Sequence, residues 1–325
     1  MKLNFACLCV LLTFSVMADN KVIYGSDNRT EVRDYRNRSI VALSRSTVAL
    51  VKAENLTPSG VQLILSGDNY GDKYNLCRKE RFTKQLSASF CSGFLIAENK
   101  IVTAGHCVRT ERDCSALRFV FDYKMTSSTR AQTSFATEQV YSCKKVLGWK
   151  EEDAGADYAI VELDRAVTNR KPLKLADNTK LKVGSGILVI GHPSGLPTKI
   201  TDGASVRRIN TGDGFFVANL DTYGGNSGSA VFNTRTLEVE GILVRGEEDF
   251  ESHESQECVR SYRIRNNQGR GEDVTLMSVV KENDGLVLTP AAVTSYVWLE
   301  ADSTCNEFSG AEFVGEVIDS LCPGH

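Results

Sequence analysis

The sequence predicts an all-β protein of two six-stranded antiparallel barrels packed face to face, with helical segments at the carboxyl end. Three observations carry this. Apolar runs are short, they are rich in Val, Ile, Phe and Tyr, and Gly, Asn, Asp and Ser break them at close intervals. In chain order the strands are expected at residues 47–51, 61–65, 93–96, 100–104, 117–123 and 158–163, then at 186–190, 204–209, 215–220, 230–232 and 239–244. Their number suits two barrels. The polar stretch 165–182, which carries Pro172, reads as the linker. Residues 54–89 are longer than a barrel hairpin requires and read as an elaborated loop bearing Cys77. Residues 290–299 and 313–321 read as helices.

At 325 residues, with 42% hydrophobic and 24% charged content, the chain can bury a sizeable core. It opens with Met1-Lys2, an apolar run to Val16 and then Met17-Ala18, the pattern of a secretory signal. The expected boundaries are 1–18 for the signal, 19–21 for a short activation stub, 22–172 for the first barrel, 173–280 for the second, and 281–325 for a partly helical extension. No run approaches the roughly 20 residues of a membrane-spanning helix. The expectation is a secreted monomer, extracellular or periplasmic. A net charge of −3 without a basic stripe argues against a nucleic-acid partner.

Chemistry concentrates in three places. The serine of Gly224-Gly225-Asn226-Ser227-Gly228-Ser229 sits among glycines that let backbone approach closely, and Thr103-Ala104-Gly105-His106-Cys107 supplies a histidine. A serine hydroxyl needs such a base, and the oxyanion that follows needs backbone donors. Asp157 opens the apolar strand Asp157-Tyr158-Ala159-Ile160-Val161-Glu162-Leu163 and would orient the imidazole. Of the other histidines, His192 lies in a Gly-Pro turn and reads as structural, His253 sits in an acidic loop, and His325 is the last residue.

The order His, Asp, Ser and these motifs resemble the chymotrypsin-like serine peptidases. Reading GGNSGS rather than GDSGG, the chain is similar to their bacterial, glutamyl-endopeptidase branch, from about Val22 to about Val280. The resemblance implies His106 as general base and acid, Asp157 as its orienter, Ser227 as nucleophile, and the amides of Gly225 and Ser227 as the oxyanion hole. His106 and Asp157 would come from the first barrel and Ser227 from the second, so the active site is the cleft between them. Protein or peptide substrates and no cofactor are implied. A catalytically silent, partner-binding relative is the reading from another class, although such relatives usually lose a member of the triad.

The same resemblance assigns substrate binding to Asp221, six residues before the nucleophile, where a carboxylate would receive Lys or Arg. Glutamyl-specific relatives use a histidine near the strand that here reads Ile242-Leu243-Val244-Arg245-Gly246, and that histidine is absent. Arg245 is the rival determinant, as a grip for an acidic side chain or a counter-charge to Asp221. Val244 stands where the family often has a serine supporting the buried aspartate, so Asp157 must find donors elsewhere, with the backbone of 104–106 the candidate. A cut after Lys21, leaving Val22 as the new amino terminus, is the activation step implied.

Ten cysteines, less Cys7 and Cys9 in the signal, leave an even eight in an exported chain and so imply disulfides. Only Cys91–Cys107 is implied by the resemblance. Cys114 with Cys143 and Cys305 with Cys322 are weaker preferences. Zinc is disfavoured because there is no CxxC, no HExxH and no second histidine near His106.

Overall fold

The computed structural model describes residues 22–253 and 257–283. The signal, the stub, Cys305, Cys322 and the proposed helices at 290–299 and 313–321 lie outside the described residues. In the first barrel, β1 (Thr47–Lys52), β2 (Cys91–Ala97), β3 (Lys100–Thr103), β4 (Leu117–Phe121), β5 (Val140–Glu151) and β6 (Asp157–Leu163) pair antiparallel in the closed order β4-β5-β6-β3-β2-β1. The second uses β7 (Gly186–Gly191), β8 (Lys199–Asn210), β9 (Phe215–Ala218), β10 (Ala230–Asn233), β11 (Val239–Arg245) and β12 (Glu272–Leu276). Its order is β7-β10-β11-β12-β9-β8, and pairing of β7 with β8 closes it.

Side-chain alternation explains how the barrels meet. On β7, Ile187 and Val189 point into a cluster with Val206, Phe216, Val231, Leu243 and Val274, all from the second barrel. Leu188 and Ile190, on the other face, join a cluster that also holds Phe94, Val102, Phe119 and Ile160 of the first. A strand that is apolar on both faces is therefore shared between the inside of one barrel and the seam with its neighbour.

Two segments depart from the expected layout. Arg29–Glu31, inside the stretch assigned to the first barrel, pairs instead with β8 at residues 199–201. Glu31 carries a carboxylate to the fully buried Lys199 at 3.1 Å, a pairing that local sequence does not reveal. The strand expected at 61–65 forms residues 62–65 at the centre of a separate three-stranded sheet, between Leu56–Ser59 of the loop 54–89 and Ser134–Ala136, rather than a barrel stave. Met277–Asn283 is a helix following β12.

Candidate active site

The loop holding His106 follows β3 as a single 3-10 turn, Gly105–Cys107. Asp157 is the first residue of β6, whose register against β3 sets the two side by side. Asp157 Oδ2 lies 2.7 Å from His106 Nδ1, while Oδ1 accepts from the amides of Gly105 at 2.5 Å and His106 at 3.2 Å. The donors expected from residues 104–106 are thus present. Gly105 is required here, because a Cβ would stand 2.1 Å from the Lys150 carbonyl and 3.0 Å from Asp157 Oδ1. Burial pushes the Asp157 carboxyl up, but the His106 hydrogen bond and charge, its amide and the Arg245 charge outweigh it, and the net direction is down.

Ser227 lies 3% exposed in the turn between β9 and β10. Its carbonyl accepts from the Ser92 amide at 2.8 Å and lies 3.8 Å from Cys107 Sγ, so the Ser227 loop meets the first barrel next to His106. Gly225 (φ +85°) and Gly228 (φ +89°) bracket the candidate oxyanion donors Gly225 and Ser227 with left-handed backbone. Beneath them runs the turn 192–195. Ser194 N donates to Gly224 O at 2.5 Å, and Ser92 Oγ donates to Gly225 O at 2.9 Å while accepting from His192 N at 2.9 Å. His192 itself is stacked on Tyr123, with Nδ1 3.0 Å from Leu196 O, and burial lowers its pKa to about 4. It is a neutral structural histidine, and Ser92 is a support that no sequence motif marks.

The two candidate substrate-binding residues turn elsewhere. Asp221 is buried, and its oxygens accept from the amides of Tyr24 at 2.7 Å and Asn28 at 2.9 Å. Burial raises its pKa to about 7, against the lowering effect of those amides. Asp221 therefore anchors the amino-terminal segment, which corrects its assignment as an open counter-charge. Beside it, Thr222 Oγ1 donates to Glu272 Oε2 at 2.7 Å, and the Glu272 carboxylate packs against Gly246. Arg245 does not face Asp221. Its guanidinium donates to the carbonyls of Glu152 at 2.9 Å and Gly155 at 2.5 Å, and to Asp273 at 3.3 Å, and it lies 3.8 Å from Asp157 Oδ2. The physical reason is a bulge in β11 against β12 between Leu243 and Arg245, which re-aims the side chain that simple alternation would send after Leu243.

Three disulfides are present among the described residues: Cys77–Cys258, Cys91–Cys107 and Cys114–Cys143. Spacing alone had no means of selecting the first, which joins residues 181 apart. Cys91, Cys107 and His106 place their ligand atoms within 4.8 Å of one another, yet the two sulfurs are bonded to each other and offer no thiolate to a metal.

A family model described as "Trypsin-like peptidase domain" matches residues 91–242. The glutamyl endopeptidase of Bacillus licheniformis is 24% identical over 229 residues, spanning 67% of this chain and 71% of that protein. A Bacillus subtilis protein named extracellular metalloprotease is 29% identical over 165 residues, or 47% of this chain and 51% of its own length. Among solved structures, the VesB protease of Vibrio cholerae aligns at 16% identity and a TM-score of 0.45 over 81% of this chain and 66% of that one. A Glu endopeptidase aligns at 18% and 0.45 over 80% and 95%.

Proposed function

We propose that this chain, similar over residues 91–242 to the trypsin-like peptidase domain, is a serine-type endopeptidase that works by acyl transfer. Ser227 Oγ attacks the scissile carbonyl as His106 takes its proton. The C–N bond then breaks, the proton passes to the leaving amine, and an acyl-enzyme remains. Water, deprotonated by the same imidazole, releases the acid and restores Ser227. The amides of Gly225 and Ser227 receive the oxyanion. The observation that carries this reading is the contact of His106 Nδ1 with Asp157 Oδ2 at 2.7 Å, which supports the tautomer whose other ring nitrogen serves as base.

For specificity we propose cleavage after basic residues. The Glu272 carboxylate accepts from Thr222, five residues before Ser227, and Arg245, the one cation considered for an acidic side chain, is committed toward Asp157. A second reading, cleavage after glutamate, draws on the 24% identity to a glutamyl endopeptidase. Secretion is proposed from the signal-like residues 1–18 and is supported by the three disulfides, which favour an oxidising compartment.

The test is a fluorophosphonate label followed by assay of Lys, Arg and Glu peptide substrates with the wild type and Glu272→Gln. The expected result is an adduct on Ser227, with Lys and Arg substrates preferred by at least about tenfold and that preference reduced in the variant. No adduct in folded, processed protein would favour the silent binding relative. A preference for Glu would establish the second reading.

A further inference from the structure

We infer that Arg245 is a positioning residue for the His106–Asp157 pair, reaching it from the opposite barrel. This rests on the triad reading above and adds to it a residue that no motif contains. The side chain arrives by the bulge in β11, since two residues of that strand (243 to 245) span a single step on β12 (Val274 to Asp273). Bulges next to active sites commonly re-aim a side chain in this way.

Its contacts form a clamp. Two nitrogens of the guanidinium hold the carbonyls of Glu152 and Gly155, in the short loop that delivers Asp157 to the start of β6. Nε is 3.3 Å from Asp273, whose carboxylate also receives Arg270 at 2.5 Å, so the guanidinium plane is braced from β12. The remaining contact is charge on charge, 3.8 Å from the oxygen that faces the imidazole. Thr275, two residues along β12 from Asp273, fixes the backbone of the same aspartate: its Oγ1 accepts from Asp157 N at 3.0 Å and donates to Asp157 O at 3.1 Å. Val244, with no hydroxyl, cannot support the carboxylate; the residue after it supplies a cation there instead.

Other charged groups around the pair are engaged with one another. Arg109 pairs with Glu151 at 2.7 Å and Lys150 with Glu152 at 3.0 Å, both toward solvent, and Asp273 is shared by Arg270 and Arg245. Among the described residues, Arg245 is the Lys or Arg whose nitrogen lies within 4 Å of the Asp157 carboxylate. A cation on the far side of the carboxylate opposes protonation of the coupled pair, so removing it lets the pair keep its proton to higher pH.

The experiment compares wild type, Arg245→Gln and Arg245→Lys by kcat and KM against pH, with Ser227 labelling and thermal melting as controls. In Arg245→Gln the acidic limb of kcat/KM is expected to move up by a few tenths to about one pH unit, and the loss to fall in kcat with KM nearly unchanged. Arg245→Lys keeps the charge and drops the fork, so its limb should stay at the wild-type position with kcat intermediate. An unmoved limb in Arg245→Gln, whether or not activity falls, would leave Arg245 a structural clamp only and overturn the inference. Should Arg245→Gln not fold, Arg245→Lys decides: a fall in kcat alone supports the positioning role, and wild-type kcat overturns it. Failure of the wild type itself to label at Ser227 would instead sink the triad reading.

Discussion

At the scale of single residues, what matters is which hydrogen-bonding partners each oxygen of a buried carboxylate has. Asp157 Oδ1 is taken by two amides and Oδ2 by the imidazole. In Asp157→Asn the new oxygen must occupy the amide site, which turns the NH2 toward His106 Nδ1 and forces the proton onto the nitrogen that should accept from Ser227. We expect kcat to drop by about 10⁴-fold with the fold retained. A drop of less than tenfold, measured with a peptide ester near neutral pH, would contradict this role. The proposed triad members could be read from the sequence because each sits in a short motif whose local chemistry is self-contained. Asp221 and Arg245 were not, because a carboxylate or guanidinium takes its meaning from whatever lies opposite: for Asp221 two amides almost 200 residues earlier, and for Arg245 the loop before β6.

Elements were legible where one or both faces are apolar. The strands expected at 47–51, 93–96, 100–104 and 117–123 correspond to β1 through β4, and 186–190 and 239–244 to β7 and β11. Two barrel staves escaped notice for opposite reasons. β5 buries only its first two residues, carries Lys144, Lys145, Lys150 and Glu151, and is bulged twice against β6, so its period-2 pattern is broken. β12 begins with Glu272 and Asp273, both buried, an acidic pair that reads as a loop until Thr222 and Arg245 are brought against it. A glycine decides the junction of the nucleophile loop with β2. At Gly228, φ is +89° and a Cβ would stand 2.0 Å from Ser92 O and 2.3 Å from Thr103 Oγ1. Gly228→Ala should therefore destabilise by roughly 2–4 kcal/mol and abolish Ser227 labelling. Wild-type thermal midpoint and labelling in that variant would show that the loop has room it is not expected to have.

For the whole molecule, the amino-terminal segment is held where it is by a group that titrates near neutrality. Val22 and Ile23 are fully buried, Ile23 pairs with Arg263, and Asp221 fastens Tyr24 and Asn28 from below. Burial raises the Asp221 pKa from its ordinary 3.8 to about 7, so the folded state binds a proton that the unfolded chain has released. Its contribution is most favourable below the unfolded value and is lost as pH rises through the folded one, across a window from about 4 to about 7. Asp221→Asn loses one amide acceptor at every pH but removes this titration. Its stability relative to wild type should therefore rise across that window, as read by denaturant unfolding at several pH values. A difference independent of pH would show that Asp221 is ionised throughout in the folded protein.

By itself the sequence determined the all-β class and the motifs that hold His106, Asp157 and Ser227; the Cys91–Cys107 bridge was implied by the family resemblance, and Cys114–Cys143 was a preference. The class and the motifs depend on periodicity and on residues close along the chain, which one strand or one turn can express alone. Only the tertiary structure decided that Arg29–Glu31 joins the second barrel, that Cys77 meets Cys258, that Asp221 anchors the amino-terminal segment and that Arg245 crosses to Asp157. Each of these is a charge, a sulfur or a strand edge whose partner is distant in sequence, and for Arg245 it is the bulge in β11 that selects the partner.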